Sequence, residues 1–233
     1  SRDWSSEVCS SDLQVWNLTV SHVWLSVIPI VVGFVVSLPI GWVANRYRVS
    51  RPVLLTIGGI LCAIPSLPLL VAMPALIGTR ILDPVNLVVV LSIYALALMV
   101  RTTSDALASV PADVVQSATA IGFSSWRRFW SVELPLAGPV LLAGLRVVSV
   151  STVSLVSIGA LLGVANLGQL FTDGLNRYYP EEVAVGIILI MVVALVFDLV
   201  LVLLGRLILP WSRLDRRIGR LRRSTAMKAV TGA

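Results

Sequence analysis

The sequence predicts an all-α membrane protein with about five transmembrane helices. Its 233 residues are 57% hydrophobic and only 13% charged, and the mean hydropathy is +0.94. Soluble domains are about a quarter charged, and disordered chains need low hydrophobicity, so the composition excludes both classes. Several apolar runs reach the roughly 20 residues that a helix needs to cross a bilayer. The two cysteines, Cys9 and Cys62, form no CxxC or Cys/His cluster, so neither a structural disulfide nor a metal site is expected.

The amino end carries a segment that we exclude from fold prediction. Residues 3–13 read DWSSEVCSSDL. This string differs only at Glu7 from DWSSDVCSSDL, the translation of a common sequencing-adaptor strand. Accidental segments are set aside before the fold is argued. We therefore interpret residues 1–13 as a non-native, adaptor-derived segment, and the alternative is a genuine polar tail outside the membrane.

The first two predicted spans lie at 23–44 and 53–77. The first is an apolar run that ends before the basic turn at 46–51. The second contains the string IPSLP, and proline kinks a helix because it removes a backbone donor. Within a bilayer, such a break is tolerated where neighbouring helices or a wet cavity satisfy the backbone. We therefore expect a broken second span.

The other three predicted spans lie at 85–100, 136–163 and 183–208. The third is short for a bilayer, and it can continue past Arg101 outside the hydrocarbon. The fourth begins after Pro135. The fifth is the longest uniformly apolar run before the basic carboxyl end.

The positions of the basic residues orient the spans. One predicted side carries 14 of the 18 Lys and Arg residues, whereas the other carries three and Arg146 lies inside a span. The 14 are Arg46, Arg48, Arg51, Arg101, Arg127, Arg128, Arg206, Arg213, Arg216, Arg217, Arg220, Arg222, Arg223 and Lys228. Because positive charge stays on the cytoplasmic side, we expect the N-terminus outside and the C-terminus inside the cell.

The loop between the third and fourth spans is too long and too apolar for a simple connector. Val114, Val115, Ala118 and Ile121 have spacings of three and four, which predict one face of a helix. Gly122 can end that helix in the left-handed conformation. Either Ser124 or Ser125 can cap a second short helix over 126–130. The small Ala118 would permit the close approach of another surface, and an apolar surface outside the bilayer needs a partner.

This loop resembles the EAA motif of ATP-binding-cassette importer permeases. That motif reads Glu-Ala-Ala, three residues, Gly, nine residues, a branched apolar residue, any residue, Leu-Pro. Here Gln116, Ser117 and Ala118 stand at the first three positions, followed by Gly122 and then by Val132-Glu133-Leu134-Pro135. Ala118, Gly122, Leu134 and Pro135 match, whereas Gln116 replaces the acid and Ser117 the first alanine. The resemblance implies an ATPase-coupling loop at 110–135. The coupling residues in it would be Gln116, Ser117, Ala118, Gly122, Phe123, Leu134 and Pro135.

The resemblance covers about 20–209 and is closest to the osmoprotectant permeases. It rests on SLPIGWVANRYR at 37–48, AIPSLPLL at 63–70 and IGALLGVANLGQLFTDGLNRYY at 158–179. Family members usually have glycines where this chain has Ala165 and Asn166. The resemblance implies a transmembrane permease domain at 14–209 and a basic cytoplasmic tail at 210–233. It also implies the type I importer fold, which resembles that of the methionine importer.

The implied function is ATP-driven import of quaternary-amine solutes such as glycine betaine, choline, carnitine and proline betaine. The implied partners are ATPase subunits, a second permease copy or paralogue, and an extracytoplasmic binding protein, in the plasma membrane. ATP and Mg would bind the partner ATPase, because this chain has no GxxxxGK[ST] phosphate loop. The chain is therefore expected to be a non-catalytic subunit without a cofactor of its own. The basic tail is expected to set the topology from beside the membrane lipid of the inner leaflet, and the sharper alternative is that it holds anionic lipid. Nucleic acid is not expected as a partner, since the basic residues of the tail are not interleaved with aromatics.

Several residues inside the spans are candidates for the path or for locking helices. Arg146 and Asp198 lie at similar depth, about 15 Å from the helix ends at 1.5 Å per residue. Ionisable groups in a bilayer face the bundle interior, so we predict an Arg146–Asp198 contact, and the alternative is that Arg146 lines the path alone. Ile64, Pro65 and Ser66 either line the path, as broken helices do, or form a structural kink.

The aromatic residues and the single histidine are expected to have structural roles and not to bind the solute. Tyr94 and Trp42 are expected to pack, because the solute-binding cage of this family belongs to the binding protein. Tyr178 and Tyr179 predict an interfacial aromatic belt. His22 is expected to be a structural residue at a membrane boundary. The alternatives for the whole chain are an importer permease for an amino acid, methionine or ergothioneine, and a channel or scaffold that works without an ATPase.

Overall fold

The computed structural model describes residues 4–47, 49–80 and 83–210, with side chains from residue 13 onward, and this part of the chain is helical. The basic tail predicted for 210–233 lies outside the described residues beyond Pro210. The helices are α1 (Trp4–Arg46), α2 (Ser50–Ala63), α3 (Ser66–Ile77), α4 (Pro84–Ala108), α5 (Ala112–Ala120), α6 (Ser125–Arg128), α7 (Leu134–Val156), α8 (Gln169–Asn176) and α9 (Pro180–Ile208). A π-helical turn (Phe129–Glu133) joins α6 to α7, and a 3-10 turn (Ser157–Leu162) follows α7.

Four long helices of the described chain are apolar enough to cross a membrane, and a bent pair supplies a fifth span if it crosses as one. The bent pair is α2 and α3, which meet at 98°. The prediction of about five spans is therefore confirmed, with the second span broken at the IPSLP string. The break is at Ile64, whose extended backbone (ψ 125°) ends α2 before Pro65, because the residue before a proline disfavours the α conformation.

Helix α1 packs mainly on α4, and this pair forms the centre of the fold. The two backbones approach closely at Gly33, where an added Cβ would lie 2.8 Å from the Cβ of Ala95. Ser37 and Thr103 are buried between the helices, with their hydroxyl oxygens 3.2 Å apart. Small and short polar residues permit this approach, as is usual for helix pairs within a bilayer.

Helices α7 and α9 run antiparallel and contact each other at three levels. The Leu209 side chain fills the space that a Cβ on Gly138 would need, and the Leu142 side chain fills that of Gly205. Arg146 and Asp198 meet further from these ends. The start of α7 and the end of α9 therefore lie at the same end of the bundle, together with α5 and α6. We call this end the elbow end.

Two predicted boundaries differ from the structure. The third span does not stop at Val100 but continues as one helix to Ala108. The short helix expected over 126–130 is not separate from the fourth span, because α6 continues through the π turn into α7. Pro135 lies in the first turn of α7, directly after the π turn. The π turn already interrupts the regular i→i−4 hydrogen bonds of the helix, so the proline ring and its missing N–H are tolerated there.

Candidate functional site

Helix α5 ends in a Schellman motif at Gly122. Its last residues are followed by Ile121 and then by Gly122, which has φ +92°. The Gly122 N–H donates to the Thr119 carbonyl at 3.0 Å, and the Phe123 N–H donates to the Ala118 carbonyl at 3.1 Å. These two bonds define the motif and need a residue that tolerates the left-handed conformation. The predicted role of Gly122 as a helix terminator is confirmed.

The turn after Gly122 leads directly into α6, with Ser124 as its N-cap. The Ser124 Oγ accepts a hydrogen bond from the Arg127 N–H at 3.4 Å. Of the two serines that the sequence left open, Ser124 is therefore the cap. Phe123 is half-buried, and the Arg127 guanidinium lies 5.1 Å from the centre of its ring. Helices α5 and α6 together form a tight turn before α7, which we call the coupling elbow (112–133).

An ion pair fixes the inside of the coupling elbow. The Arg128 Nε donates to Glu133 Oε1 at 2.6 Å, and the side chains are only 13% and 7% exposed. The same guanidinium donates through Nη1 to the Thr119 hydroxyl at 2.6 Å. Arg128 thus ties α5 to the π turn. The five-residue spacing between Arg128 and Glu133 matches the π pattern, in which the Leu134 N–H bonds to the Phe129 carbonyl.

The π turn buries an aromatic group against α1. Phe129 is fully buried, and its ring centroid lies 5.1 Å from that of Trp130 and 6.1 Å from that of Trp42 on α1. Trp126 stacks edge-on against Trp42 at 5.7 Å. Offset and edge-to-face contacts at these distances are favourable. Trp42 is a packing residue, as expected, and it anchors the coupling elbow to the first span.

The outer surface of the coupling elbow is apolar and exposed. Ile121 is 77% exposed and Trp126 is 55% exposed. The predicted four-residue face is wrong in part, because Val115 and Ala118 pack on the chain itself whereas Val114 and Ile121 do not. Ile121 lies beyond the last helical residue of α5, so the helical period no longer sets its direction.

The two residues that depart from the motif are both exposed on α5. The Ser117 Oγ donates to the Asp113 carbonyl at 2.7 Å. Gln116 lines an open cavity of about 420 Å³ together with Arg46 and Glu133. The carboxylate in this cavity therefore comes from Glu133, in the variable position before Leu134-Pro135. Sequence analysis missed this role, although an acid five residues after Arg128 in an apolar stretch was a usable signal.

The remaining two motif residues form the root of the coupling elbow. Leu134 packs against the buried cluster that contains Phe129, Ala137 and Leu141. Pro135 is half-buried in the first turn of α7. Both residues also line an apolar groove beside α9. The motif therefore connects the coupling elbow to the fourth span without an intervening loop.

The break in the second span is held by Tyr94 of α4. Ile64 and Pro65 are exposed and Ser66 is half-buried. The buried Tyr94 hydroxyl donates to the Ile64 carbonyl, which lies at the bend where the helical ladder stops. Sequence analysis assigned Tyr94 to packing alone and missed this bond. Tyr94 lies in the middle of α4, so the bend that it contacts is away from the coupling elbow, which follows the end of that helix.

Arg146 and Asp198 meet in a bidentate ion pair between α7 and α9. The Arg146 Nε lies 2.6 Å from Asp198 Oδ1, and its Nη2 lies 2.7 Å from Oδ2. The Arg146 side chain is 41% exposed and that of Asp198 is 29% exposed. With Val150 and Ser151 they line an open cleft. The predicted contact is present, and the pair is reachable from outside this chain.

The end of the bundle opposite the coupling elbow is closed by polar contacts. Asn166 is fully buried, its amide donates to the Val164 carbonyl at 2.8 Å, and its oxygen accepts from the Gly168 N–H at 2.7 Å. This asparagine therefore closes the loop before α8. His22 is also buried, with Nε2 3.0 Å from the Val153 carbonyl, in agreement with a structural role. Tyr178 and Tyr179 are exposed between α8 and α9.

Metal-ligating side chains are not clustered in the described residues. No group of three or more His, Cys, Asp or Glu side chains there could hold a metal ion. Cys62 is a free, exposed thiol. The geometry provides an elbow joined directly to α7, a bent helix pair and an ion pair between α7 and α9.

Removing one side of the ion pair in the coupling elbow should destabilise it. We expect Arg128→Met to lower the free energy of unfolding by about 3 kcal/mol, because Glu133 would remain buried without a partner. Thermal unfolding of the purified protein and protease cleavage between α5 and α6 measure the effect. The matched control is Arg127→Met, which removes only an exposed cation–π contact worth under about 1 kcal/mol. Equal effects of the two substitutions would contradict a special role for Arg128.

Comparison with known proteins places the whole bundle in one family. The model of the family described as "binding-protein-dependent transport system inner membrane component" matches residues 21–213. The chain is similar to the glycine betaine/carnitine/choline transport system permease protein OpuCB of Bacillus subtilis strain 168, at 28% identity over 82% of this chain and 87% of that protein. It is also similar to the choline transport system permease protein OpuBB of the same organism, at 29% identity over 82% of this chain and 87% of that protein.

Solved structures agree with this placement at the level of the fold. An inward-facing structure of the MetNI methionine ABC transporter has a TM-score of 0.75 at 20% identity, over 84% of this chain and 96% of that chain. A crystal structure of an amino acid ABC transporter with histidines has a TM-score of 0.70 at 19% identity, over 88% and 99%. The type I importer fold predicted from the sequence is confirmed.

Proposed function

The chain belongs to the family of binding-protein-dependent transport system inner membrane components, and from this premise we propose that it is the permease subunit of an ATP-driven importer of quaternary-amine compatible solutes. The chain is thus a transport subunit of the membrane. The solute, the ATPase and the direction of transport are the parts that we propose. The observation that carries the proposal is the coupling elbow, a rigid apolar surface outside the spans in a chain of this family.

The coupling elbow has the properties of a docking surface for an ATPase subunit. Its exposed face presents Ile121 and Trp126, while its inner face is held by the Arg128–Glu133 pair. Apolar and aromatic residues on a rigid base are typical of interface centres. A rigid elbow transmits force, because the π turn joins it to α7 without a flexible linker. ATP and Mg bind the ATPase in this proposal, and this chain contributes the surface that the ATPase moves.

The proposed orientation places the coupling elbow in the cytoplasm. Arg46, Arg127, Arg128 and Arg206 lie at the elbow end, where positive charge is expected to remain inside the cell. The opposite end, with Asn166, Tyr178 and Tyr179, then faces outward. This is the surface that we propose for the extracytoplasmic binding protein. The N-terminus is outside and the C-terminus inside.

The solute path is proposed to run along the cleft that contains Arg146 and Asp198, between this chain and a second permease copy or paralogue. Charged groups in a bilayer face protein or water, and this pair is partly exposed on the surface of one chain. A second permease would therefore cover it. The broken span at Ile64, Pro65 and Ser66 offers polar backbone groups of the kind that line transport paths.

The solute class is proposed from the relatives. Two of them are named for transport of glycine betaine, carnitine or choline, and the ProW protein of Escherichia coli strain K12, 30% identical over 74% of this chain and 48% of that protein, is named for glycine betaine and proline betaine. These solutes share a quaternary ammonium group. Amino acids, methionine and ergothioneine are the competing cargoes.

Uptake of labelled glycine betaine tests the proposal. Cells that lack their own carriers would express this chain with its ATPase and binding protein, and unlabelled choline, carnitine, ergothioneine and methionine would compete. We expect ATP-dependent uptake that choline or carnitine blocks. Capture of the ATPase by the tagged chain, without betaine uptake, would reject the solute class but not the importer. Failure to capture any ATPase would reject the importer.

A further inference from the structure

The open cavity beside the coupling elbow is lined by charged and amide side chains. Its volume is about 420 Å³, and it lies where the ends of α1 and α4 meet α5 and the π turn. The polar lining residues are Asn45, Arg46, Gln116, Arg128 and Glu133. Arg46 and Gln116 are both exposed. A side chain of another protein can therefore reach them from outside the chain.

The cavity carries one positive charge that the described residues do not balance. Arg128 and Glu133 neutralise each other, since the Arg128 Nε donates to Glu133 Oε1 at 2.6 Å. Asn45 and Gln116 carry no charge. The Arg46 guanidinium makes neither a hydrogen bond nor an ion pair within the part of the chain that the structure describes. The charge of Arg46 therefore remains available to a partner.

The other acids near this end of the described chain do not line the cavity. Asp105 is paired with Arg51 at 2.9 Å. Asp113, in the first turn of α5, is exposed and stands outside the cavity lining. The EAA motif has a glutamate at the position of Gln116, and a carboxylate there would balance the charge of Arg46. With glutamine at this position, an acid must come from another protein.

We propose that a carboxylate side chain of the partner ATPase enters this cavity and pairs with Arg46, with the Gln116 amide as a second donor. A guanidinium binds a carboxylate through parallel hydrogen bonds, and complementary charge fixes the register of an interface. The proposal rests on the proposed function, because it takes the ATPase as the occupant, and it adds the sign of the charge. A permease with the motif acid would present a carboxylate to the ATPase, so the contact here has the reversed polarity.

Restoring the motif acid tests this polarity. Gln116→Glu adds a carboxylate that repels an incoming acid and competes for Arg46. We expect it to lower the affinity for the ATPase about tenfold, measured by titrating the purified full-length chain with the purified ATPase subunit. Gln169→Glu makes the same change at the start of α8, at the opposite end of the bundle, and should leave the affinity unchanged. Tighter or unchanged binding by Gln116→Glu would overturn the proposal, and tighter binding would assign a basic occupant.

Substitution of Arg46 provides an independent test. Arg46→Gln should weaken ATPase binding about tenfold and make it less sensitive to salt, whereas Arg46→Lys keeps the charge and should retain most of the affinity. Arg46 is exposed, so the unfolding temperature of both variants should match that of the unsubstituted chain. Unchanged binding by Arg46→Gln overturns this proposal alone. Failure of the unsubstituted chain to bind the ATPase rejects the proposed function together with it.

Discussion

Replacing Gly122 with valine is expected to abolish solute uptake and to weaken capture of the ATPase about tenfold or more. Gly122 has φ +92°, where an L-residue costs about 1–2 kcal/mol and a β-branched residue costs more. Relief of this strain breaks the two hydrogen bonds to Ala118 and Thr119 that end α5. The exposed face of the coupling elbow then loses its fixed angle to α6. Uptake of labelled solute and co-purification of the ATPase measure both effects.

Gly78 provides the matched control for this substitution. Its φ is +80°, and at both glycines an added Cβ meets nothing within 4 Å, so backbone conformation and not a clash decides both outcomes. Gly78 ends α3, far along the chain from the coupling elbow. Gly78→Val should lower the stability of the chain, but the molecules of this variant that do fold should still bind the ATPase. Loss of ATPase capture in both variants would show that folding, and not the coupling elbow, limits the interaction.

Neutralising Asp198 is expected to have the second largest effect. In Asp198→Asn, Arg146 keeps its charge within the bilayer without a partner, and an unpaired arginine at depth costs about 3 kcal/mol on insertion scales. We expect a lower unfolding temperature and little mature protein in the membrane. Arg146→Gln should have a comparable effect, because it leaves the carboxylate unpaired. Membrane abundance and thermal unfolding of both variants measure these losses.

The reversed pair separates locking from solute recognition. Arg146→Asp combined with Asp198→Arg should restore stability, since the groups meet side by side at 2.6 and 2.7 Å. Stable but inactive protein would indicate that the pair also acts on the solute, whereas a failure to restore stability contradicts the lock. Arg51→Gln is the control, because its partner Asp105 lies in the last turn of α4 and not in the middle of a span, and surface pairs contribute about 0–1 kcal/mol.

Sequence patterns predicted the spans and the position of the coupling elbow. A run of about 20 apolar residues can only be satisfied in lipid as a helix, so the five segments follow from composition alone. The break at Ile64 and Pro65 and the left-handed Gly122 follow from backbone sterics of single residues. The depth estimate for Arg146 and Asp198 succeeded because the predicted ends of the fourth and fifth spans placed both charges at the same depth. All of these features except the Arg146–Asp198 contact depend on neighbours in the chain.

The features that sequence analysis missed depend on the directions and burial of single side chains, and one of them joins distant segments. Tyr94 reaches the Ile64 carbonyl, and Glu133 is buried against Arg128 while it faces the cavity beside Gln116. The burial of Ala118, in contrast to the exposure of Ile121, is set by the approach of α5 to the π turn. The Asn166 side chain closes the loop through Val164 and Gly168. None of these contacts leaves a periodic signal.

The sequence by itself determined the class of this protein, its spans, the turn at Gly122 and the resemblance of its loop to a coupling motif. These properties come from local hydrophobicity and local backbone conformation, which are encoded within a few turns of helix. Only the tertiary structure decided which face of the coupling elbow is free, which carboxylate serves Arg128, and where the apolar groove beside α9 opens. The free face and the groove arise when helices far apart in the chain are brought within a few ångströms, and the free energy of burial then selects which side chains are covered. The Arg128–Glu133 pair is close in sequence, but this packing buries it.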